Sequence, residues 1–161
     1  WQASTPVNEI TGLWWLEGET VSALADGDAY VDLVVEDGRI RLTNEAGRVV
    51  CGLPYVGTIR TLPLGLDGYN VNGKPLALRG VTCRLLNSRG LEIGTSASDL
   101  EELPAATFSD WGAALEPFTG QFTASFFGGE GWAPEASVLI RQCYPLAADI
   151  LGLTYELDVG E

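Results

Sequence analysis

Turn formers cut the first third of this chain at a spacing of about ten residues, the rhythm of a small antiparallel sandwich or barrel. Asp26-Gly27, Asp37-Gly38 and Ala46-Gly47 mark the beats. A chain interrupted this often cannot build long helices. The runs between the turns alternate instead. Val21, Ala23 and Ala25 oppose Thr20, Ser22 and Leu24, and Ile40 and Leu42 oppose Arg39, Arg41 and Thr43. A period of two puts alternate side chains on opposite faces, which describes half-buried strands. Asp-Gly between such runs is a hairpin signal, because both residues tolerate positive φ.

The pattern continues downstream. Val81, Cys83 and Leu85 share one face of an extended run from Leu76 to Asn87, while Thr82 and Arg84 take the other. Phe122, Ala124 and Phe126 share a face within Gly120–Phe127, and Val138 and Ile140 point inward from Ser137–Cys143. Residues 150–159 give a last strand. Residues 65–75 read as a long connection, with Asn72-Gly73 suited to a type I′ turn. One segment has a helical signature: Ser98 followed by Glu101 at capping-box spacing, stopped by Pro104. The expected fold is therefore all-β, an antiparallel sandwich or barrel-like domain of short strands with long loops and at most one short helix. Residues 1–12 read as an irregular lead-in, and 13–161 as a single β-rich domain. The chain has no Met and starts at Trp1, so it is expected to be a fragment of a longer chain.

Charge and residue types narrow the chemistry. Nine basic residues against 22 acidic ones leave a net charge of −13. That excludes a basic groove that binds nucleic acid by releasing phosphate counterions, and attraction to an anionic membrane surface. No apolar run reaches the roughly 20 residues of a membrane helix, so no membrane anchor is expected. The chain has no His, which removes Ser-His-Asp and Cys-His nucleophiles and makes a structural zinc site untenable. Cys51, Cys83 and Cys143 are odd in number and widely spaced, hence small core residues and not a disulfide framework. Asp26, Asp28 and Asp32 echo calcium-ligand spacing but lack the Gly and Glu of a calcium loop, so they read as a solvated hairpin tip. Gly128-Gly129-Glu130-Gly131 has no Lys for phosphate and reads as a hairpin loop.

Carboxylate chemistry remains open. A glycosidase needs two carboxyl groups about 5 Å or about 6.5–9.5 Å apart. Glu17 with Glu19, or Asp110 beside Trp111, are the candidates, against a background of 22 acids in which chance pairs are unavoidable. No catalytic, cofactor or metal residue is assigned. The candidate partner-interface residues are Trp14, Trp15, Trp111 and Trp132, because exposed indoles form interface hot spots or stack on sugars. Trp14 and Trp15, if on a strand, would point to opposite faces, and one would enter the core.

Spaced short motifs carry a resemblance. They are Leu16-Glu17-Gly18-Glu19-Thr20-Val21 with Leu24-Ala25-Asp26-Gly27, Gly52-Leu53-Pro54-Tyr55, and Thr61-Leu62-Pro63-Leu64. Asn87-Ser88-Arg89-Gly90-Leu91 with Gly94, Phe118-Thr119-Gly120, and Ile140-Arg141-Gln142 with Pro145-Leu146 follow, and Leu151 and Glu156–Gly160 close the series. In order and spacing they resemble the tail nozzle (tail tubular protein B-like) proteins of short-tailed bacteriophages, from residue 13 onward. Pro145-Leu146-Ala147 departs from the proline-rich turn expected there. The resemblance implies a structural protein of the virion tail, assembled in the host cytoplasm, without enzymatic activity or cofactor. It implies other copies in a six-fold ring below the portal and adaptor, contacts to adaptor and fibre or needle proteins, and a channel through which DNA passes without specific binding. The alternative expectation is a carbohydrate-binding module that uses exposed aromatics.

Overall fold

The computed structural model describes residues 2–65, 74–103, 116–126, 132–133 and 135–160. The protein is almost entirely β. Its strands are β1 (Gln2–Thr11), β2 (Thr20–Ala25), β3 (Asp28–Val34), β4 (Arg39–Gly52), β5 (Gly57–Arg60) and β6 (Leu76–Ser88). β7 (Leu91–Ser96), β8 (Asp99–Leu103), β9 (Phe118–Ser125), β10 (Leu139–Gln142) and β11 (Asp149–Val159) complete the set. The strands form three antiparallel sheets, and among the described residues none closes into a barrel.

These residues gather into two compact units within and just before the 13–161 span. The first holds 2–56 and Cys143–Leu146. Its sheet has the order β1-β4-β2-β3. Val21, Ala23 and Ala25 from β2, Ile40, Leu42 and Val49 from β4, and Ile10, Leu13 and Val35 form its core. The β2–β3 hairpin turns on Asp26 and Gly27, with φ of 48° and 97°. Asp37 and Gly38 repeat this at 53° and 67°. Both are positive-φ pairs of the kind a two-residue hairpin demands.

The second unit holds most described residues from 57 to 142, with 147–160. It is a sandwich. One sheet has the order β5-β10-β7-β8, the other β11-β6-β9, and the two share a single core. Val81, Cys83 and Leu85 of β6 are all at most 2% exposed, as their shared face requires. Across from them lie Ile93 of β7, Leu103 of β8, and Val138 and Ile140 at β10. Outer faces are polar and paired across strands. The Thr82 and Thr123 hydroxyls bond at 2.8 Å, Arg79 Nε donates to Asp158 at 2.6 Å, and Arg141 Nε donates to Glu92 at 2.6 Å.

Four readings of the sequence are corrected. Gln2–Thr11 is no irregular lead-in. It is β1, paired with β4 through two register shifts. Ala46-Gly47 is no turn: β4 runs through it, with Ala46 buried. The Ser98–Leu103 segment is no helix. Asp99–Leu103 is β8, laddered to β7 with Leu103 opposite Leu91. Five residues before Pro104 cannot offset the cost of nucleating a helix, whereas a ready strand edge supplies partners at once. Trp14–Leu16 is a single 3-10 turn, not a strand. Asn72-Gly73, Gly128–Gly131 and the Asp110–Trp111 pair lie outside the described residues.

Each unit's core gives a stability test. Ile40 and Leu85 are both 1% exposed. Ile40→Ala and Leu85→Ala should each cost about 2–5 kcal/mol. The measurement is the urea midpoint of the far-UV circular dichroism transition, with the slope unchanged.

Candidate functional site

The side chains that stand out are those left in water against their chemistry. Trp14 is 69% exposed and Trp15 76%. Both sit on the 3-10 turn between β1 and β2, which presents them outward together, so neither enters the core. Trp132, in the second unit, is 52% exposed. Trp111 lies outside the described residues. Three of the four interface candidates are therefore surface indoles.

The turn under Trp14 is fixed from several sides. Leu13 N–H donates to Gly38 O at 2.8 Å, Leu16 N–H to Leu13 O at 2.9 Å, and Gly18 N–H to Val35 O at 3.0 Å. Glu17 then fastens the neighbouring hairpin: its two carboxylate oxygens accept from Asp37 N–H at 2.9 Å and Gly38 N–H at 2.6 Å. This gives Glu17 a structural employment, and it stands in a turn outside any strand, so the strand-face argument that would pair it with Glu19 does not apply.

Gly38 is required twice. Its φ is +67°, a region L side chains avoid. A Cβ there would also come within 2.8 Å of three atoms of the Trp14 benzenoid ring, Cδ2, Cε3 and Cζ3. These three are consecutive ring atoms. An edge-on approach would leave the outer two far beyond the middle one, so the near-equal distances place the Gly38 backbone under the face of the ring. Trp14 thus lies flat on Gly38. Sequence reading found the indole but not its seat 24 positions on; the pairing of a Trp turn with an Asp-Gly hairpin is the only signal.

Two carboxylates in this unit titrate below the usual range. Backbone N–H bonds from Gly47 and then Arg48 depress Asp26, at 2.7 and 2.8 Å. The side-chain bond from Arg39 depresses Glu9 against an opposing desolvation, with Arg41 adding to the lowering. These bonds tie the β2–β3 turn to mid-β4 and pin β1 to β4.

An open apolar cleft of about 280 Å³ lies on the first unit, lined among others by Leu24, Val50, Cys51, Leu53, Tyr55 and Tyr144. Among the described residues no acidic or basic side chain lines it. Burial pushes the Cys51 thiol up, so it is not poised as a nucleophile. The cleft can hold an apolar side chain. Of the cysteines, Cys83 alone is buried, its thiol pushed up to about 11 by burial; Cys51 and Cys143 are half-buried. Among the described residues no cluster of three His, Cys, Asp or Glu could hold a metal ion. Among the described residues no helix is long and apolar enough to cross a membrane.

No protein-family model matches this chain, and neither does any curated protein.

Two outcomes check this geometry. Gly38→Ala should cost more than about 1 kcal/mol, the penalty of a left-handed L residue, with the ring clash added; urea unfolding measures it. Asp26 has a depressed folded pKa, so its contribution is present above its ordinary value of 3.8 and lost as pH falls below it. Between pH 5 and pH 3, Asp26→Asn should therefore lose less of its urea midpoint than the wild type does.

Proposed function

We propose that this chain is a structural assembly domain of a phage tail nozzle: one of six copies in a ring that forms the genome exit channel below portal and adaptor. The observation that carries the reading is the exposure of large apolar side chains on an all-β acidic scaffold. Trp14 and Trp15 on the 3-10 turn, and Tyr55 (80%) and Leu62 (85%) in connecting segments, lie in water. Trp and Tyr are the residues that dominate the hot spots of protein contacts. The motif series that resembles nozzle proteins supplies the particular assembly. The chain acts by holding shape, without a catalytic centre or cofactor.

The acid surplus suits a wall past which DNA slides. At −13 the chain repels phosphate, so an ejecting genome finds no counterion-releasing surface to stick to. The same charge makes neighbouring copies repel, a force that salt screens over about 8–10 Å at 0.1–0.15 M. Ring formation should therefore strengthen as ionic strength rises.

A second reading, a carbohydrate-binding module, is favoured by one feature, the flat exposed face of Trp14. A glycan array that lights up with wild type and goes dark with Trp14→Ala would establish it in place of the ring.

Cryo-EM of the parent virion should show this domain six times around the tail axis; finding the parent chain as a free monomer in both virion-depleted lysate and purified form would reject the proposal. Gel retardation with the isolated chain should show no shift of a DNA duplex even at about 50 mM salt, where counterion release favours binding most.

A further inference from the structure

We propose that the Trp14 indole is a docking platform for an arginine or lysine side chain of a partner protein. The inference rests on the reading of this chain as an assembly domain and names the chemistry its partner brings.

The platform is built before any partner arrives. One face of the ring lies on the Gly38 backbone, and 69% of the residue is in solvent. The two pieces of chain that make the sandwich are tied to each other directly. Leu13 N–H bonds Gly38 O, and the Glu17 carboxylate bonds the Asp37 and Gly38 amides. A ligand on the open face therefore meets a ring that has little freedom left to lose, which is what pre-organisation contributes to affinity.

Charge selects the ligand. Glu17 sits at hydrogen-bond distance from Gly38 N, next to the atom on which the ring rests. Glu36 and Asp37 precede that glycine in the chain, and the Asp37 side chain is 83% exposed. The nearby base is Arg39. Its guanidinium is 3.0 Å from Glu9 and only loosely set against Asp37, at 3.7 Å. A contact so exposed holds little, so Asp37 can turn to an incoming cation. Carboxylates around an indole face add their field to the ring quadrupole, which already attracts ammonium and guanidinium groups. The net charge of −13 draws a basic partner from farther away.

A neutral sugar would gain less here. A sugar hydroxyl can bond the exposed Asp37 carboxylate, but being uncharged it gains nothing from the summed field of Glu17, Glu36 and Asp37. What Glu17 still offers is charge.

The test uses the full 161-residue chain, ¹⁵N-labelled, with a hexa-arginine peptide as the probe and maltohexaose as the neutral sugar. The peptide should move the Trp14 indole N–H resonance along a saturating curve, and the sugar should leave it in place. Trp14→Ala should weaken peptide binding about 5-fold, the scale of a cation–π contact at an exposed site. Asp37→Asn should weaken it as well, and Trp14→Phe, which keeps a ring on Gly38, should fall between. Peptide binding that is unchanged in Trp14→Ala would mean unfocused charge attraction and overturns the platform. So would an indole resonance that moves with maltohexaose and not with the peptide. A ring of wild-type parent chains seen by cryo-EM alongside a failed titration overturns the platform alone and leaves the assembly reading in place.

Discussion

Three rows of side chains run across the middle of the second unit: Tyr155–Val81–Ala124, Leu153–Cys83–Phe122 and Ile150–Leu85–Gly120. In each, the central residue belongs to β6 and is almost fully buried, while its neighbours on β11 and β9 close the two flanks. Neither neighbour has another strand among the described residues, so both depend on β6 for their backbone hydrogen bonds. The opposing sheet then lays Ile93, Leu103, Val138 and Ile140 over the same face. β4 has the same part in the first unit. Its 14 residues pair with β1 between Arg39 and Arg48 and with β2 over the last four. A long strand paired on both edges cannot slip by one residue without turning its buried face to water, and this fixes the register of everything beside it.

That constraint decides what was legible in the sequence. Where a strand is half-buried, the period of two is written in the residues, and Val21, Ile40, Val81, Phe126 and Val138 all face the core as read. The failures occur where tertiary pairing outweighs local signals. β1 carries Pro6 and a mostly polar run, and from Thr5 onward Ile10 is its one buried residue, so alternation gave no sign of it. It is an edge strand held by β4 and by the Arg39 and Arg41 bonds to Glu9. Ala46-Gly47 has turn chemistry, yet the Gly47 and Arg48 amides are taken up by Asp26, which supports the chain as it passes. The Ser98–Glu101 spacing is a helix cap only if a helix follows, and β7 offers its edge before one can nucleate.

The candidate site was half legible. Aromatic residues in an acidic chain announce themselves, but a seat for Trp14 requires knowing that Gly38 comes under it. The Leu16-Glu17-Gly18-Glu19 motif acquires a physical meaning from this. Glu17 is the clasp between two turns, and its neighbour Gly18, at φ +79°, lets the chain leave the 3-10 turn toward β2.

A chain that leaves indoles, Tyr55 and Leu62 in water is exposed to indiscriminate association. Its strand edges counter that. β8 carries Asp99, Glu101 and Glu102 on an edge five residues long, and β11 carries Asp149, Glu156 and Asp158 with two register shifts. Charges and bulges on edges are the usual defence against indiscriminate strand addition. With backbone pairing discouraged, side-chain docking is the contact mode left to the exposed aromatics. Docking between two surfaces of the same negative sign costs Coulomb energy unless one of them presents cations at the point of contact. A basic partner protein brings such cations to a platform like Trp14; a second copy of this chain, with nine basic residues against 22 acidic ones, is poorly equipped to do so. An interface of the kind proposed would be held by apolar and cation–ring contacts at a few points, with its carboxylates kept to the wet margins where screening is strongest.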